Sequence, residues 1–199
     1  MKGQSFLIIS IIFIIILALI KANVSFQEFQ EDKSLGIEFE NTKEEMVRSV
    51  EFSVYEKENI SRNLESFAEF ARDSFKRRAL NLNSLILEAI VENDELNVSV
   101  KNLLGNEITF LNISFSYDNS FREFENIKDG EKVTTTFSFS NGNYTLKIFY
   151  KTPFSQESEE FLIETEVGKS KFIVFLDISL ENEKAKLRDK IFKSYELPA

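Results

Sequence analysis

Hydrophobic and polar positions divide the chain into three stretches with different periods. Residues 6–20 form an apolar run that only Ser10 interrupts. From residue 46 to residue 90, apolar side chains return every three or four positions, which is the period of an amphipathic helix. After Asn93-Asp94 they return every second position, which is the period of a strand with one buried face. The pattern predicts an α+β chain that begins with an apolar helix, continues as helix and ends as sheet.

The apolar run predicts a membrane-spanning helix. Insertion of so many apolar residues is favourable by several kcal/mol. The run itself is shorter than a bilayer core of ~30 Å, but its flanks extend it, so we predict a transmembrane helix at residues 4–26 with Lys21 reaching the interface. Lys2 places the N-terminus on the cytoplasmic side. The alternative is a secretory signal peptide, although no small-residue cleavage site follows the run.

The helical period predicts a membrane-proximal extension and a stalk at residues 27–92. Residues 42–45 carry a capping-box pattern that marks a helix start. Polar residues at 57–61 break the phase, so two helices are favoured over one rod. Acidic neighbours surround four cations of the stalk, which favours a solvated, ion-paired face over an anion-binding site. These cations are Arg72, Lys76, Arg77 and Arg78.

The period of two predicts about seven or eight antiparallel strands that form a β-sandwich at residues 93–199. Turn signals such as Asp129-Gly130 and Asn141-Gly142 separate the strands. In this phase Phe137 lies in the core and Ser138 does not. The sandwich is expected to fold without the stalk. Residues 184–195 fit either a strand or a helix, and a strand whose lysines protect a sheet edge is favoured.

The composition removes several classes of function. The chain has no Cys and no His, which excludes thiolate metal sites, cysteine nucleophiles and histidine bases or ligands. A formal net charge of −9 argues against a nucleic-acid partner. The acidic stretches 118–120 and 129–131 are predicted to be turns, because they lack the ligand density of a calcium loop. We predict no enzyme, no catalytic or metal residues and no cofactor.

Two further features bear on binding and modification. The chain has 21 Phe and no Trp, so a polysaccharide-binding groove of exposed aromatics is conceivable, but the phase of the phenylalanines favours a core. The sequons in the sheet domain place Asn opposite the apolar set, so they are candidate N-glycosylation sites, with ordinary outward polar positions as the alternative. The five sequons are at Asn23, Asn59, Asn97, Asn112 and Asn143.

The residues before the apolar run, Lys2-Gly3-Gln4, resemble the class III signal of archaeal type IV pilin-like proteins. The resemblance implies a leader at residues 1–3, which a prepilin-type peptidase removes by cutting between Gly3 and Gln4. It also implies that the chain associates with copies of itself or with other pilin-like subunits through the N-terminal helix. Ile8 departs from the glutamate of bacterial pilins at the fifth mature position. An uncleaved N-terminal anchor is the alternative.

Two segments resemble archaeal immunoglobulin-like surface domains. Residues 98–114 have the alternation and the Gly105 turn of their first hairpin, and residues 141–146 have their G-x-Y-x-L pattern. This resemblance implies an immunoglobulin-like β-sandwich and says nothing of activity.

The sequence therefore predicts a single-pass protein of the cell membrane with an extracellular C-terminal domain, or a component of surface filaments. The first function hypothesis is a pilin-like structural subunit of a filament or membrane-bound assembly. The alternative is a monomeric membrane-tethered adhesin or binding module that acts through the β-sandwich.

Overall fold

Two helices precede nine strands in the described part of the chain. The computed structural model describes residues 34–92, 94–117, 119–140, 142–165 and 169–197. The chain divides into two compact units, Met1–Asn41 and Thr42–Ala199. Helix α1 covers residues 34–56, and helix α2 covers Ile60–Lys76.

The nine strands form two antiparallel sheets, one of five strands (sheet A) and one of four (sheet B). The strands are β1 Asn81–Glu92, β2 Glu95–Leu103, β3 Ile108–Phe115, β4 Ser120–Ile127, β5 Lys132–Ser138, β6 Gly142–Lys151, β7 Gln156–Thr165, β8 Lys171–Glu181 and β9 Lys186–Glu196. Sheet A has the order β5-β2-β1-β8-β9 and sheet B the order β4-β3-β6-β7. The neighbours β1-β2-β5 and β3-β6-β7 have the relations of strands A-B-E and C-F-G in immunoglobulin-type sandwiches.

One hydrophobic core lies between the two sheets. Side chains of strands β1 to β8 enter it, among them Leu87 and Val98 from sheet A and Ile113 and Ile148 from sheet B. Phe137 is 3% exposed and belongs to this core, as its phase predicts. The predicted antiparallel β-sandwich is confirmed in its general form.

The outer face of sheet A is also buried at its central strands β1 and β8, because helices cover it there. In α2 the buried residues recur on one side, from Leu64 to Phe75, and α1 contributes Met46 and Val50. Strands β1 and β8 are therefore buried on both faces, and most of their residues are apolar. Such a strand lacks the alternation that identifies a half-buried one.

The predicted stalk at residues 27–92 is wrong. Residues 81–92 form β1, which lies in the middle of sheet A between β2 and β8. The favoured break into two helices is confirmed: α1 ends at residue 56, and Asn59 caps α2 by accepting a hydrogen bond from the Arg62 amide at 3.0 Å. The boundary predicted at residue 93 falls between β1 and β2, which pair from Ser84↔Leu103 to Glu92↔Glu95.

The membrane-protein prediction also requires correction. The leader at residues 1–3 and the transmembrane helix at residues 4–26 lie outside the described residues. Within the described ranges, neither helix is long and apolar enough to cross a bilayer. The predicted fold class of membrane helix, stalk and sandwich is therefore replaced by a β-sandwich covered by two helices, and the predicted single-pass cell-membrane localisation finds no spanning helix in the described chain to support it.

The final strand favoured for residues 184–195 is confirmed as β9, but its cations have another role than the one predicted. Lys190 Nζ lies 2.6 Å from Glu159 Oε1, and Arg188 Nη1 lies 2.7 Å from Glu157 Oε1. Phe192 stacks on Phe161 with ring centroids 5.0 Å apart. These contacts join β9, at the edge of sheet A, to β7, at the edge of sheet B.

Candidate functional site

An open cleft with a volume of about 620 Å³ lies at one end of the sandwich. Its lining comes from the last turns of α2, the first residues of β1, the loop between β2 and β3, the turn between β6 and β7, and the neighbouring parts of β8 and β9. The volume lies within the range of ~300–1,000 Å³ that is typical of small-molecule sites. All of these elements belong to the unit Thr42–Ala199.

A hydrogen-bonded group of three side chains forms part of the cleft lining. Asp177, which is 2% exposed, accepts hydrogen bonds from Tyr150 Oη at 2.5 Å and from Arg188 Nε at 2.8 Å. Burial, followed by the Asp177 carboxylate, raises the pKa of the Tyr150 phenol, so the phenol stays protonated and donates. The hydrogen bond to Asp177 raises the pKa of Arg188. The charges of this group are thus paired internally, which is what a buried carboxylate requires.

Glu157 of β7 connects the group to the joined sheet edges. It accepts hydrogen bonds from Arg188 Nη1 at 2.7 Å and from Lys190 Nζ at 2.9 Å. Burial alone would raise the pKa of Glu157, but the hydrogen bonds from Lys190 and Arg188 outweigh burial, and the pKa is lowered. Two cations shared between two strands therefore brace this side of the cleft.

The loop between β2 and β3 forms a second wall. Asn102 is fully buried, and its Nδ2 donates to the carbonyls of Asn106 and Ile127, both at 2.9 Å. Gly105 has φ +76, and a Cβ added there would stand 2.9 Å from Asn83 Oδ1. Glycine is required here both by the backbone conformation and by the close approach of the Asn83 side chain.

Asp129 ties this loop to the end of α2. Its Oδ1 accepts a hydrogen bond from the Gly105 amide at 2.9 Å, and its Oδ2 lies 2.5 Å from Arg72 Nη2. The acidic stretch 129–131 is thus part of a turn, as predicted, and its first carboxylate serves as a clamp. Across the described ranges, no group of His, Cys, Asp and Glu residues is arranged to hold a metal ion.

The turn between β6 and β7 presents an aromatic ring at the rim. Thr152 is 5% exposed, and its hydroxyl accepts hydrogen bonds from the amides of Phe154 and Ser155 at 3.2 and 3.0 Å. Such a side-chain-to-backbone turn fixes the local backbone. The Phe154 ring is 84% exposed on this turn and lines the cleft.

Several polar groups of the lining have no hydrogen-bond partner among the described residues. Ser179 is 7% exposed and lines the cleft, yet its hydroxyl makes no side-chain hydrogen bond there. The Oδ1 atom of Asn106 is buried and likewise unpaired. Asn81 and Lys76 also line the cleft, are exposed, and make no side-chain hydrogen bond in the described chain. A lysine ammonium donates hydrogen bonds, whereas hydroxyl and amide side chains both donate and accept, so these residues offer a ligand donors as well as acceptors.

A second polar cluster holds α2 on sheet A, away from the cleft lining. Lys132 Nζ lies 2.5 Å from Glu65 Oε1 and 3.1 Å from Glu88 Oε2. Burial lowers the pKa of Lys132, but the hydrogen bonds and charges of Glu65 and Glu88 outweigh burial, and the pKa is raised. Ser61 of α2 donates to the same Glu88 oxygen at 2.5 Å.

The structure does not gather the predicted modification sites into one place. Gly3, Gln4 and Asn23 lie outside the described residues. Asn97 accepts a hydrogen bond from Thr136 Oγ1 at 2.6 Å on the outer face of sheet A. Asn112 donates to Glu123 at 3.3 Å on the outer face of sheet B. Asn59 is the N-cap of α2, and Asn143 is exposed on β6. Processing at Gly3 and glycosylation at the asparagines stay predictions.

Sequence reasoning missed the cleft, because its residues are scattered over the chain. The one sequence feature that points to the cleft is the group of cations from Arg72 to Arg78, which the helical period places in the middle of a helix. The helix ends at Lys76, with Arg77 as its C-cap, so Arg72 and Lys76 stand one turn apart in the last two turns and line the cleft together. Arg78 instead lies over the Phe75 ring, 5.7 Å from its centroid.

Comparison with known proteins adds little to this description. No protein-family model matches the chain, and no curated protein matches it. Among solved structures, wild-type OgpA from Akkermansia muciniphila matches 43% of the chain at 12% identity with a TM-score of 0.31. Catalytically inactive OgpA in complex with an O-glycopeptide substrate matches 46% of the chain at 10% identity with a TM-score of 0.32. The chain covers 27% and 30% of those chains, and similarity at this level carries no argument about function.

Proposed function

We propose that this chain is a binding module that acts through its β-sandwich and takes a small, hydroxyl-rich ligand, a saccharide unit, in the end cleft. The observation that carries the proposal is the open cleft of about 620 Å³, whose lining combines the side chains of Ser179 and Asn106 with the exposed ring of Phe154. A sugar has hydroxyls that both donate and accept and a C–H face, so it suits a lining of polar groups beside an aromatic ring.

Pre-organisation of the lining supports binding without large rearrangement. Asp177, Arg188 and Tyr150 are fixed by mutual hydrogen bonds, and Asp129 clamps the loop at Gly105 to Arg72. Side chains that are already ordered lose little entropy on binding. The exposed Phe154 ring adds an apolar surface at the rim on which the C–H face of a sugar can pack.

The pairing of the charged residues in the cleft favours a binding function over catalysis. A general acid or base must be free to exchange a proton with a ligand. Asp177 is occupied by Tyr150 and Arg188, and the raised pKa of Tyr150 makes it a poor nucleophile or base. Glu181, the other carboxylate of the lining, lies 3.1 Å from Lys186.

The hypothesis of a pilin-like structural subunit rests on residues 1–26, which lie outside the described residues. It stays a prediction from Lys2-Gly3-Gln4, and no contact of the described chain favours it over the binding module.

The proposal is tested by saturation-transfer NMR of the full chain with glucose, galactose, N-acetylglucosamine and glucuronate. We expect at least one of these sugars to bind. The double variant Ser179→Ala/Asn106→Ala should weaken that binding about 10-fold or more, because two hydrogen bonds are worth about 1–3 kcal/mol together.

The matched control is Ser194→Ala/Asn143→Ala, which removes the same groups from exposed positions on β9 and β6. It should bind as the wild type does. Failure of all four sugars to bind, or equal affinities for the two double variants, would overturn the proposal.

A further inference from the structure

The charge of the cleft differs in sign from that of the chain. The lining holds four cationic residues and two acidic ones, whereas the chain has 24 Lys and Arg against 33 Asp and Glu. The cations are Arg72, Lys76, Lys186 and Arg188, and the acidic residues are Asp177 and Glu181. A cation of such a lining attracts an anionic ligand where no carboxylate of the protein already neutralises it.

Three of the four cations are neutralised by the protein itself. Arg72 pairs with Asp129 at 2.5 Å, and Lys186 pairs with Glu181 at 3.1 Å. Arg188 pairs with Asp177 at 2.5 Å and also with Glu157. These three cations therefore form ion pairs that hold the walls of the cleft together.

Lys76 is different, because its side chain makes no ion pair and no side-chain hydrogen bond in the described chain. It stands in the last turn of α2, where the helix carbonyls favour a positive charge, and it lines the same cleft as Asn81 and Ser179. A lysine without a counter-ion in the described chain, in a cleft that also holds amide and hydroxyl side chains, matches a ligand that carries one anionic group among several hydroxyls.

We infer that the ligand of the cleft is an acidic saccharide whose carboxylate binds Lys76, with its hydroxyls on Ser179 and Asn106. This inference rests on the proposed function. It adds to that function the charge of the ligand and the residue that binds the charged group. Phe154 and the unpaired polar groups account for a sugar of any charge. Lys76 accounts for selection of the acid over its neutral parent.

Matched sugar pairs test the inference. Binding of glucuronate against glucose, and of galacturonate against galactose, is measured on the full chain by NMR titration of the backbone amides of the loop between β2 and β3. Acetate serves as a carboxylate without a sugar. We expect at least one uronate to bind about 10-fold or more tightly than its neutral parent and than acetate, and added salt to weaken that binding.

The Lys76→Gln variant should lower the affinity for the uronate to that of the neutral sugar in the same variant, and it should change neutral-sugar binding by a smaller factor than it changes uronate binding. Lys193→Gln removes the same charge from an exposed site on β9 and should change neither. Equal binding of a uronate and its parent with no effect of Lys76→Gln would overturn the inference while the saccharide-binding function stands. Acetate binding as tightly as the uronate would overturn it in favour of a bare anion site. If no sugar perturbs the loop, both the inference and the proposed function fail.

Discussion

At the scale of single residues, polar groups buried in this sandwich are of two kinds. Asp177 and the Oε2 oxygen of Glu88 accept several hydrogen bonds each from nearby donors, and they fix neighbouring elements to one another. The Ser179 hydroxyl makes no such side-chain hydrogen bond in the described chain, and Asn106 Oδ1 has no partner there. Asp177 fixes the walls of the cleft, Glu88 fixes α2 on sheet A, and Ser179 is left to bind a ligand.

The ion pairs that join β7 to β9 predict a specific dependence of stability on pH. Hydrogen bonds from Lys190 and Arg188 lower the pKa of Glu157 below its ordinary value of 4.5. A lowered pKa in the folded state means that ionisation of Glu157 stabilises the fold above pH 4.5, and that this stability is lost as the pH falls through the folded pKa. At pH 7 the Glu157→Gln variant should have a free energy of unfolding about 1–2 kcal/mol below wild type. At pH 3 the difference should be much smaller, as measured by urea denaturation at both pH values.

Glu160→Gln is the control for that experiment. Glu160 also forms an ion pair, with Lys147 at 2.6 Å, but both side chains are about half exposed, so its loss should cost less than about 1 kcal/mol. A Glu157→Gln deficit that is the same at pH 3 as at pH 7 would show that the carboxylate charge does not stabilise the joined edges.

The side of a strand on which a residue lies was predictable where one face of that strand is exposed to solvent. Phe137 is buried and the neighbouring Ser138 is exposed, as the alternation predicted. The role of Arg72 and Lys76 was not predictable, because it depends on the helix ending at Lys76 beside loops that are distant in the sequence. Local pattern determines on which face a residue lies, but it does not determine what lies opposite.

At the scale of elements, the errors have two physical causes. β1 was predicted as helix because the covering helices allow apolar residues on both faces, so the stretch from Leu82 to Val91 shows steps that also fit a helix. β4 was not predicted at all. It pairs with β3 in one constant register from Ile108↔Ile127 to Phe115↔Ser120, but Ile127 is its one buried residue. A strand with so few buried residues lacks the apolar alternation by which strands are recognised.

The packing of α2 predicts that this helix is part of the fold and not a detachable stalk. Leu64 is fully buried on its sheet-facing side, whereas Phe70 is 70% exposed. Leu64→Ala should lower the free energy of unfolding by about 2–5 kcal/mol, because a buried leucine leaves a cavity. Phe70→Ala removes a larger side chain but should cost less than about 1 kcal/mol. Equal effects in thermal or urea denaturation would mean that α2 does not pack on sheet A through this face.

At the scale of the whole molecule, sheet A depends on a strand that the sequence assigned to the stalk. β1 pairs with β2 over nine residue pairs and with β8 over eleven. Without β1 the sheet separates into β5-β2 and β8-β9, and the core loses Leu85, Leu87, Ala89 and Val91. Two strands with an open edge are at best marginally stable in water.

A fragment of residues 93–199, which the alternating pattern alone suggested would fold, is therefore predicted not to fold. Its far-UV circular dichroism should show no cooperative transition on heating, because the central hydrogen-bond ladder of sheet A and one side of the core are missing. A fragment of residues 42–199 retains β1, α2 and the buried Met46 and Val50 of α1, and corresponds to the larger compact unit. It should melt in one cooperative transition. If residues 93–199 melt as cooperatively as residues 42–199, then β1 and its covering helices are dispensable, and the cleft that α2 and β1 help to line is a peripheral addition to a self-sufficient sandwich.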